Sequence, residues 1–200
     1  MKKQVLLAFG ALALSTLMSA RGATEVWKVV ERDNLNIAIA ESETDVENFT
    51  ARTSKIKGTF NFDREAKTGT GTITVDGATL DTGVEQRNKD MRTPAWFNFD
   101  KNPEIKFEAT RVQWMRDNNY RITGSLTMNG VTKALITVAT IKVTNANAAT
   151  ASARIAGDSL AVNAKFPVKL SDYKVSHPSI AAGRVSETIV ITLKTIATNK

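Results

Sequence analysis

Apolar and polar residues alternate along most of the chain, which is the pattern of β-strands with one buried face. Alternate positions of a strand lie on the same face. Ile56, Phe60 and Phe62 therefore share one face of such a segment, and Ile73 and Val75 share one face of the next. The pattern predicts strands over residues 26–30, 35–40, 55–63, 70–75, 105–114, 120–128, 131–143, 160–170 and 188–196. About eight to ten short, mostly antiparallel strands joined by turns indicate a barrel or a sandwich.

An Asn129-Gly130 pair separates two of these segments. Both central residues of a type I′ turn need positive φ, and this pair is the strongest short hairpin signal, so residues 131–143 are predicted to run antiparallel to the preceding strand. The returning strand has apolar residues on both of its faces, with Leu135 on one face and Ile136 and Val138 on the other. We expect its outer face to be covered by the helix, by a loop or by a second subunit.

Residues 81–107 interrupt the alternation and predict one short helix. Thr82 and Glu85 have the spacing of a capping box, so the helix is expected to begin near Gly83. Glu85 and Lys89 are spaced for an i,i+4 ion pair. By contrast, residues 42–49 are acidic and are expected to form a helical turn or a loop. Residues 145–156 are rich in Ala, Asn and Thr, and we expect little regular structure there.

An aromatic turn follows the predicted helix. The helix is expected to end before Pro94, which disfavours helical geometry at the residue before it. Trp96, Phe97 and Phe99 then occur within four residues. A helix followed by three aromatic residues is either a lid on a cavity or a plug in a core, and these residues alone leave both interpretations open.

The first 22 residues have the layout of a secretory signal peptide, with two lysines, an apolar run over 5–18 and small residues after it. The apolar run is too short to span a membrane comfortably. We expect cleavage after Gly22, with Ala20 as the alternative. The expected product is one domain over residues 23–200, located in the periplasm or outside the cell.

Composition narrows the classes of function. The chain has 27 Lys and Arg against 20 Asp and Glu, and loss of the three basic residues of the signal reduces the formal net charge from +7 to about +4. Basic residues are interspersed with acidic ones and form no stripe, so no nucleic-acid partner is expected. The chain has no cysteine, which excludes disulfides and zinc sites built on cysteine.

The sequence offers little catalytic chemistry. It has no Gly-x-Ser-x-Gly motif, and its single histidine, His177, precedes a proline in a loop, so a Ser-His-Asp triad could be built only on that residue. The acidic run from Glu41 to Glu47 does not match a calcium-binding loop. No catalytic residue, metal site or cofactor is predicted. What remains is a barrel with an apolar inner parity, and an eight-stranded barrel can hold one small ligand.

Three segments resemble the signatures of the YceI-like family. Residues 85–97, EQRNKDMRTPAWF, followed by 101–107, KNPEIKF, resemble R-D-x-H-L-R-S-x-D-F-F followed by K-Y-P-x-I-x-F. Residues 124–133, GSLTMNGVTK, are similar to G-x-L-T-x-x-G-V-T-K, and residues 166–175 resemble the late strand and turn of the family. The resemblance covers most of residues 23–200 in the expected order.

The resemblance implies an all-β fold, an extended antiparallel lipocalin-like barrel of about eight strands closed at one end by the short helix and the aromatic turn. It favours the lid interpretation of that turn. It implies an exported, non-catalytic carrier or storage protein that holds a polyisoprenoid or similar long-chain lipid, with its head group near the helix. The partners expected are therefore this lipid, a membrane in transient contact, and a second copy in a homodimer.

The expected ligand-binding residues combine the family positions with the inner parity of the strands. Four positions depart from the family pattern, because Asp90 replaces histidine, Asn88 and Ala95 replace aspartates and Asn102 replaces tyrosine. The expected ligand-binding residues are Phe60, Phe62, Ile73, Val75, Arg87, Met91, Arg92, Trp96, Phe97, Phe107, Leu126, Met128, Leu135 and Phe166.

Two other functions remain open on the sequence. The first is an exported structural or interaction protein whose barrel core is solid, for which the doubly apolar strand over 135–143 would form a dimer face. The second is a small-molecule enzyme that uses Asp90 together with Arg92 in the same cavity.

Overall fold

The computed structural model describes residues 23–200, and the predicted signal peptide at residues 1–22 lies outside the described residues. The helices are α1 (Glu85–Arg92), α2 (Ala148–Ser152) and α3 (Pro178–Ala181), with 3-10 turns at Gly77–Thr79 and Leu170–Tyr173. The strands are β1 (Glu25–Val29), β2 (Ile37–Glu43), β3 (Asn48–Thr53), β4 (Ile56–Asp63), β5 (Thr68–Asp76), β6 (Glu104–Arg116), β7 (Asn119–Met128), β8 (Val131–Thr144), β9 (Ser159–Lys169) and β10 (Thr188–Thr198).

Eight of the strands form a closed antiparallel barrel in the order β1-β4-β5-β6-β7-β8-β9-β10, and β1 pairs with β10 to complete it. The predicted all-β barrel is therefore confirmed. The remaining strands, β2 and β3, form a hairpin. This hairpin joins the sheet through β2, which pairs with residues 190–194 of β10. We call the end of the barrel beside this hairpin and α1 the wide end, because a cavity of ≈ 300 Å³ lies there.

The β10 strand has two different neighbours along one edge, since its first half pairs with β2 and its last residues pair with β1. Asn36 lies at this fork and is 4% exposed. Its Oδ1 accepts hydrogen bonds from Thr195 Oγ1 at 2.7 Å and from the Ile196 amide at 3.2 Å, and its Nδ2 donates to the Val30 carbonyl at 2.7 Å. The side chain thus supplies hydrogen-bond partners between the two paired regions of β10.

The predicted Asn129-Gly130 turn is confirmed. Met128 pairs with Val131, and the two turn residues have φ of 50° and 69°. Asn129 Nδ2 also donates to the Tyr173 carbonyl at 3.0 Å, which connects the hairpin to the 3-10 turn after β9.

The acidic segment is where the predicted secondary structure differs most from the observed one. The prediction of a helical turn or loop over residues 42–49 is correct only for residues 44–47, because β2 continues to Glu43 and β3 begins at Asn48. Only the short turn between them is irregular, and Thr44 Oγ1 accepts the Glu47 amide there at 2.9 Å. The inward-facing residue of this part of β2 is Ser42, a small polar residue that gives no apolar signal.

The outer face of β8 is not covered by any helix or loop within residues 23–200. Ile136 is 65% exposed and Val138 is 46% exposed, so the helix and loop alternatives for covering this face are wrong. Cover by a second subunit stays a prediction. Residues 145–156 are more ordered than their composition suggests, because Asn147 and Thr150 form a reciprocal capping box at the start of α2.

The far end of the barrel is filled by Trp27, which is fully buried among Phe62, Tyr120 and their neighbours. The Arg64 guanidinium lies 5.2 Å from the centroid of the Trp27 ring and binds Asp158 at 2.8 Å. This guanidinium lowers the pKa of the Asp158 carboxyl. No helix over residues 23–200 is both long enough and apolar enough to cross a bilayer.

Asn36→Ala is expected to lower the free energy of unfolding by about 2 kcal/mol, because it leaves the buried Ile196 amide and Thr195 hydroxyl without their acceptor. Urea denaturation measures this change. Asn61→Ala, on the exposed face of β4, is the control and should stay within about 0.5 kcal/mol of the parent protein. Equal stability of the two variants would contradict the role of Asn36 at the fork.

Gly77→Ala is expected to lower stability by about 1–3 kcal/mol, because a Cβ there would lie 2.4 Å from the ring of Phe99. Thermal unfolding measures the cost. Combination with Phe99→Leu should relieve the clash, so the double variant should lose less than the two single variants together. Strictly additive losses would show that Gly77 does not act through Phe99.

Candidate functional site

A cavity of ≈ 300 Å³ opens at the wide end of the barrel. Its walls come from the β2–β3 hairpin, α1, the aromatic turn, the segment between β9 and β10, and the strands β6, β7 and β10 of the barrel. The apolar lining residues are Ala40, Phe49, Ala51, Leu80, Val84, Met91, Trp96, Phe97, Phe99, Ile105, Met128, Leu170, Val185, Ile189 and Ile191.

Two smaller cavities of ≈ 80 Å³ each continue from this one into the barrel. The middle cavity shares Ala40, Ile105 and Met128 with the upper cavity. The lowest cavity shares Phe107 and Phe166 with the middle one and ends near the Trp27 end of the barrel. The side chains that line the middle cavity are all apolar. The three cavities therefore follow one another along an apolar interior.

The position of α1 depends on Asn88 rather than on the predicted capping box. The helix has Val84 as its N-cap residue and no capping side chain. The hydroxyl of Thr82 donates to Asn88 Oδ1 at 2.7 Å, and Asn88 Nδ2 donates to Asp81 Oδ1 at 2.7 Å. The capping-box prediction is wrong because the Thr82 amide donates to Asn88 Oδ1 at 2.8 Å instead of to Glu85, and the Thr82 hydroxyl accepts the Val84 amide at 3.3 Å instead of the Glu85 amide. Hydrogen bonds from the Gly83 amide and from Asn88 lower the pKa of Asp81.

Other predictions for α1 are confirmed. Glu85 and Lys89 form the expected ion pair at 2.6 Å on the solvent side. Met91 is buried and packs with Phe99 and Ala51. The helix ends at Arg92, ahead of Pro94.

The aromatic turn contains both a plug and a wall of the cavity. Phe99 is 1% exposed and stacks on Phe97 with ring centroids 5.2 Å apart, so it serves as the plug. Trp96 and Phe97 are only half-buried and line the cavity. Trp96 stacks on the ring of His177 at 4.3 Å, which joins the turn to the segment between β9 and β10.

A charged group lies at the mouth of the upper cavity. Glu47 Oε1 binds Arg87 Nη2 at 2.6 Å, and Glu47 Oε2 binds Arg184 Nε at 3.3 Å. The Arg87 guanidinium also lies 4.0 Å from the centroid of the Phe49 ring. Glu47 on the hairpin thus connects α1 to the segment before β10.

Two further polar side chains line the same mouth. Asp90 Oδ1 accepts from Gln86 Nε2 at 2.8 Å. His177 Nδ1 accepts the Ser179 amide at 3.2 Å as the N-cap of α3. Because Nδ1 is the acceptor, the ring proton lies on Nε2, and this nitrogen is a hydrogen-bond donor. The mouth therefore contains a carboxylate acceptor and an imidazole donor.

Most of the residues expected from the sequence line these cavities, although ligand contact stays a prediction for all of them. The upper cavity is lined by Arg87, Met91, Trp96, Phe97 and Met128. The two inner cavities are lined by Phe60, Phe62, Ile73, Val75, Phe107, Leu126, Met128 and Phe166.

Arg92 and Leu135 line none of the three cavities. Arg92 is exposed, and its Nη2 donates to the Ala78 carbonyl at 2.7 Å. Five residues of helix correspond to about 500°, so Arg92 points roughly 140° away from Arg87. Leu135 packs instead on the cluster that contains Leu170. Both residues are therefore corrections to the expected set.

The proposed enzymatic pair is also not assembled. Asp90 lines the cavity, whereas Arg92 lies outside it. Sequence analysis also missed Glu47, Arg184 and Ala40 as residues of the site. Glu47 and Arg184 are 137 positions apart, and no local pattern indicates that they meet. Ala40 was missed because the larger apolar residues of β2, Ile37 and Ile39, lie on its opposite face, whereas Ala38 and Ser42 share the inner face with Ala40.

The chain is similar to several known proteins. A UPF0312 protein of Photorhabdus laumondii is 40% identical over 80 residues, which is 40% of this chain and 41% of that relative. A UPF0312 protein of Shewanella baltica is 28% identical over 138 residues, 68% of this chain and 71% of the relative. The alignment with the first relative thus spans less than half of its length.

Two solved structures share the fold. The crystal structure of BcnA from Burkholderia cenocepacia has a TM-score of 0.69 at 21% identity and covers 82% of this chain and 96% of BcnA. The YCEI protein of Campylobacter jejuni has a TM-score of 0.62 at 17% identity and covers 100% of this chain and 99% of that one. A family model described as the YceI-like domain matches residues 27–197, and the chain belongs to the YceI-like family.

Proposed function

We propose that this protein binds a long-chain lipid, such as a polyisoprenoid, inside its barrel and carries or stores it without chemical change. The observation that carries the proposal is the row of apolar cavities leading from a polar mouth into the barrel. An extended amphiphile has the same distribution of polarity, with a polar head at one end and hydrocarbon along the rest.

The inner cavities suit hydrocarbon better than water. Each has ≈ 80 Å³, which is room enough for water. A buried water needs about two to four polar partners, whereas the lowest cavity offers only Thr70 and Thr137 as polar side chains and the middle one offers none. Each methylene group moved from water into such a cavity contributes about 0.8 kcal/mol.

The route of the ligand and its cellular location belong to the same proposal. The signal-like segment at residues 1–22 supports export to the periplasm or beyond. A long-chain lipid is poorly soluble in water, so a carrier would load and unload in transient contact with a membrane. Phe97 and Trp96 border the opening through which the tail would pass.

The protein purified from a bacterial host after export is expected to contain lipid. Organic extraction followed by mass spectrometry should release a long-chain amphiphile in about equimolar amount. Protein that is folded by circular dichroism but yields no amphiphile, and that binds no added geranylgeraniol, would rule out the carrier function in favour of a solid-core structural protein.

Ala40→Phe is expected to weaken binding of geranylgeraniol at least about tenfold, because the larger side chain fills the passage shared by the upper and middle cavities. Binding of the shorter geraniol, which the upper cavity can hold, should change less. Titration followed by fluorescence of Trp96, which lies in the cavity wall, measures both affinities.

Ala134→Phe is the matched control, since Ala134 is exposed on β8 and the change adds the same side chain outside the barrel. An equal loss of affinity for both alcohols in Ala40→Phe, or the same loss in Ala134→Phe, would show that the tail does not pass Ala40.

A further inference from the structure

We infer that Glu47 makes the mouth of this cavity selective for ligands with an uncharged, hydroxyl-bearing head group and excludes ligands of the same chain length that carry a phosphate. The inference rests on the proposed function, because it specifies the head group of the same ligand. It goes beyond a general affinity for lipid, since it assigns the choice of head group to one residue.

The two cations at the mouth are already paired. Within residues 23–200, Arg87 and Arg184 are the only Lys or Arg side chains that line the upper cavity, and the carboxylate of Glu47 binds both, one through each oxygen. The Arg87 and Glu47 side chains are 24% and 27% exposed, so solvent reaches them only in part. Glu47 therefore occupies the position between the arginines that an anionic head group would need.

Displacement of Glu47 by a phosphate would be unfavourable. The freed carboxylate would lie next to a phosphate monoester that carries about −1.5 to −2 charges. A partly buried carboxylate without a partner also loses its hydration without compensation. The two anions would then compete for the same guanidinium groups.

Asp90 adds a second negative charge to the wall of the cavity. Its carboxylate accepts from the neutral amide of Gln86 and has no cation within 4.0 Å among the described residues. The charged residues that line the cavity, Glu47, Asp90, Arg87 and Arg184, thus have a formal net charge of zero. An added phosphate would make the mouth strongly negative, and Coulomb repulsion acts over several ångströms at this level of exposure.

A hydroxyl head group fits the polar groups that remain. A hydroxyl donates one hydrogen bond and accepts others. Asp90 provides an acceptor, and His177 Nε2 provides a donor. The imidazole of His177 is positioned by stacking on Trp96, with ring centroids 4.3 Å apart, and by the Ser179 amide, which donates to Nδ1. Neither group requires a charged partner. The uncharged head therefore binds without breaking the contacts of Glu47.

The test compares geranylgeraniol with geranylgeranyl phosphate, which differ only in the head group, by fluorescence titration at pH 7. The parent protein is expected to bind the alcohol at least about tenfold more tightly. In Glu47→Gln the two arginines lose their carboxylate, and the ratio should shift toward the phosphate by about tenfold or more. Glu47→Asp keeps the charge and should keep the preference for the alcohol.

Glu43→Gln is the matched control, because Glu43 is an exposed acid on the same hairpin and does not line the cavity. Its ratio should equal that of the parent protein. Thermal unfolding establishes that each variant is folded. If Glu47→Gln does not fold, the salt dependence of the parent protein decides: between about 0.05 and 0.5 M salt, binding of the phosphate should strengthen if the mouth repels it and weaken if the mouth attracts it.

Tighter binding of the phosphate by the parent protein would overturn the inference. So would an unchanged ratio in Glu47→Gln, an equal shift in Glu43→Gln, or binding of the phosphate that weakens with salt. These results leave the carrier function intact, because at least one of the two probes still binds. Failure of both probes to bind the folded parent protein would instead count against the proposed function itself.

Discussion

The structure depends on how the edge of β10 is shared between two strands. Asn36 supplies the hydrogen bonds at the fork where β10 leaves β1 and begins to pair with β2. Without such a residue, the buried backbone and hydroxyl groups at the fork would lack partners. The fork lets one end of the barrel close around Trp27 while the other end opens under α1. The β2–β3 hairpin, which pairs with β10 beyond this point, supplies Ala40, Phe49 and Ala51 to the wall of the upper cavity.

The two ends of the barrel use similar side chains in different ways. At the narrow end, Arg64 is held by Glu25 and Asp158 and covers the buried Trp27 ring. At the wide end, Arg87 is held by Glu47 and covers the half-buried Phe49 ring. Both ends combine an arginine, an aromatic ring and carboxylates. The narrow end is filled by a large ring, whereas the wide end keeps a cavity of ≈ 300 Å³ behind the pair.

Sequence analysis predicted most of the barrel because period-two alternation reports directly which side chains face inward. Phe107, Leu126 and Phe166 line the interior as their parity indicates. The position of Arg92 could also have been derived, since helix geometry alone separates it from Arg87. The contact of Glu47 with Arg184 could not, because it depends on how two distant connections fold over the mouth. Thr82 shows a further limit, since Asn88, six positions later, accepts the Thr82 amide that a capping box assigns to Glu85.

The closure of the barrel by β1 and β10 has a consequence for how the chain folds. Lys28 pairs with Thr198, so this seam joins strands from opposite ends of the described sequence. Proteins dominated by contacts between residues so far apart in sequence fold slowly. Until the seam forms, both strands have free backbone groups that can pair with other chains. Closure of the barrel by distant strands therefore favours slow folding and prolongs the exposure of these two edges.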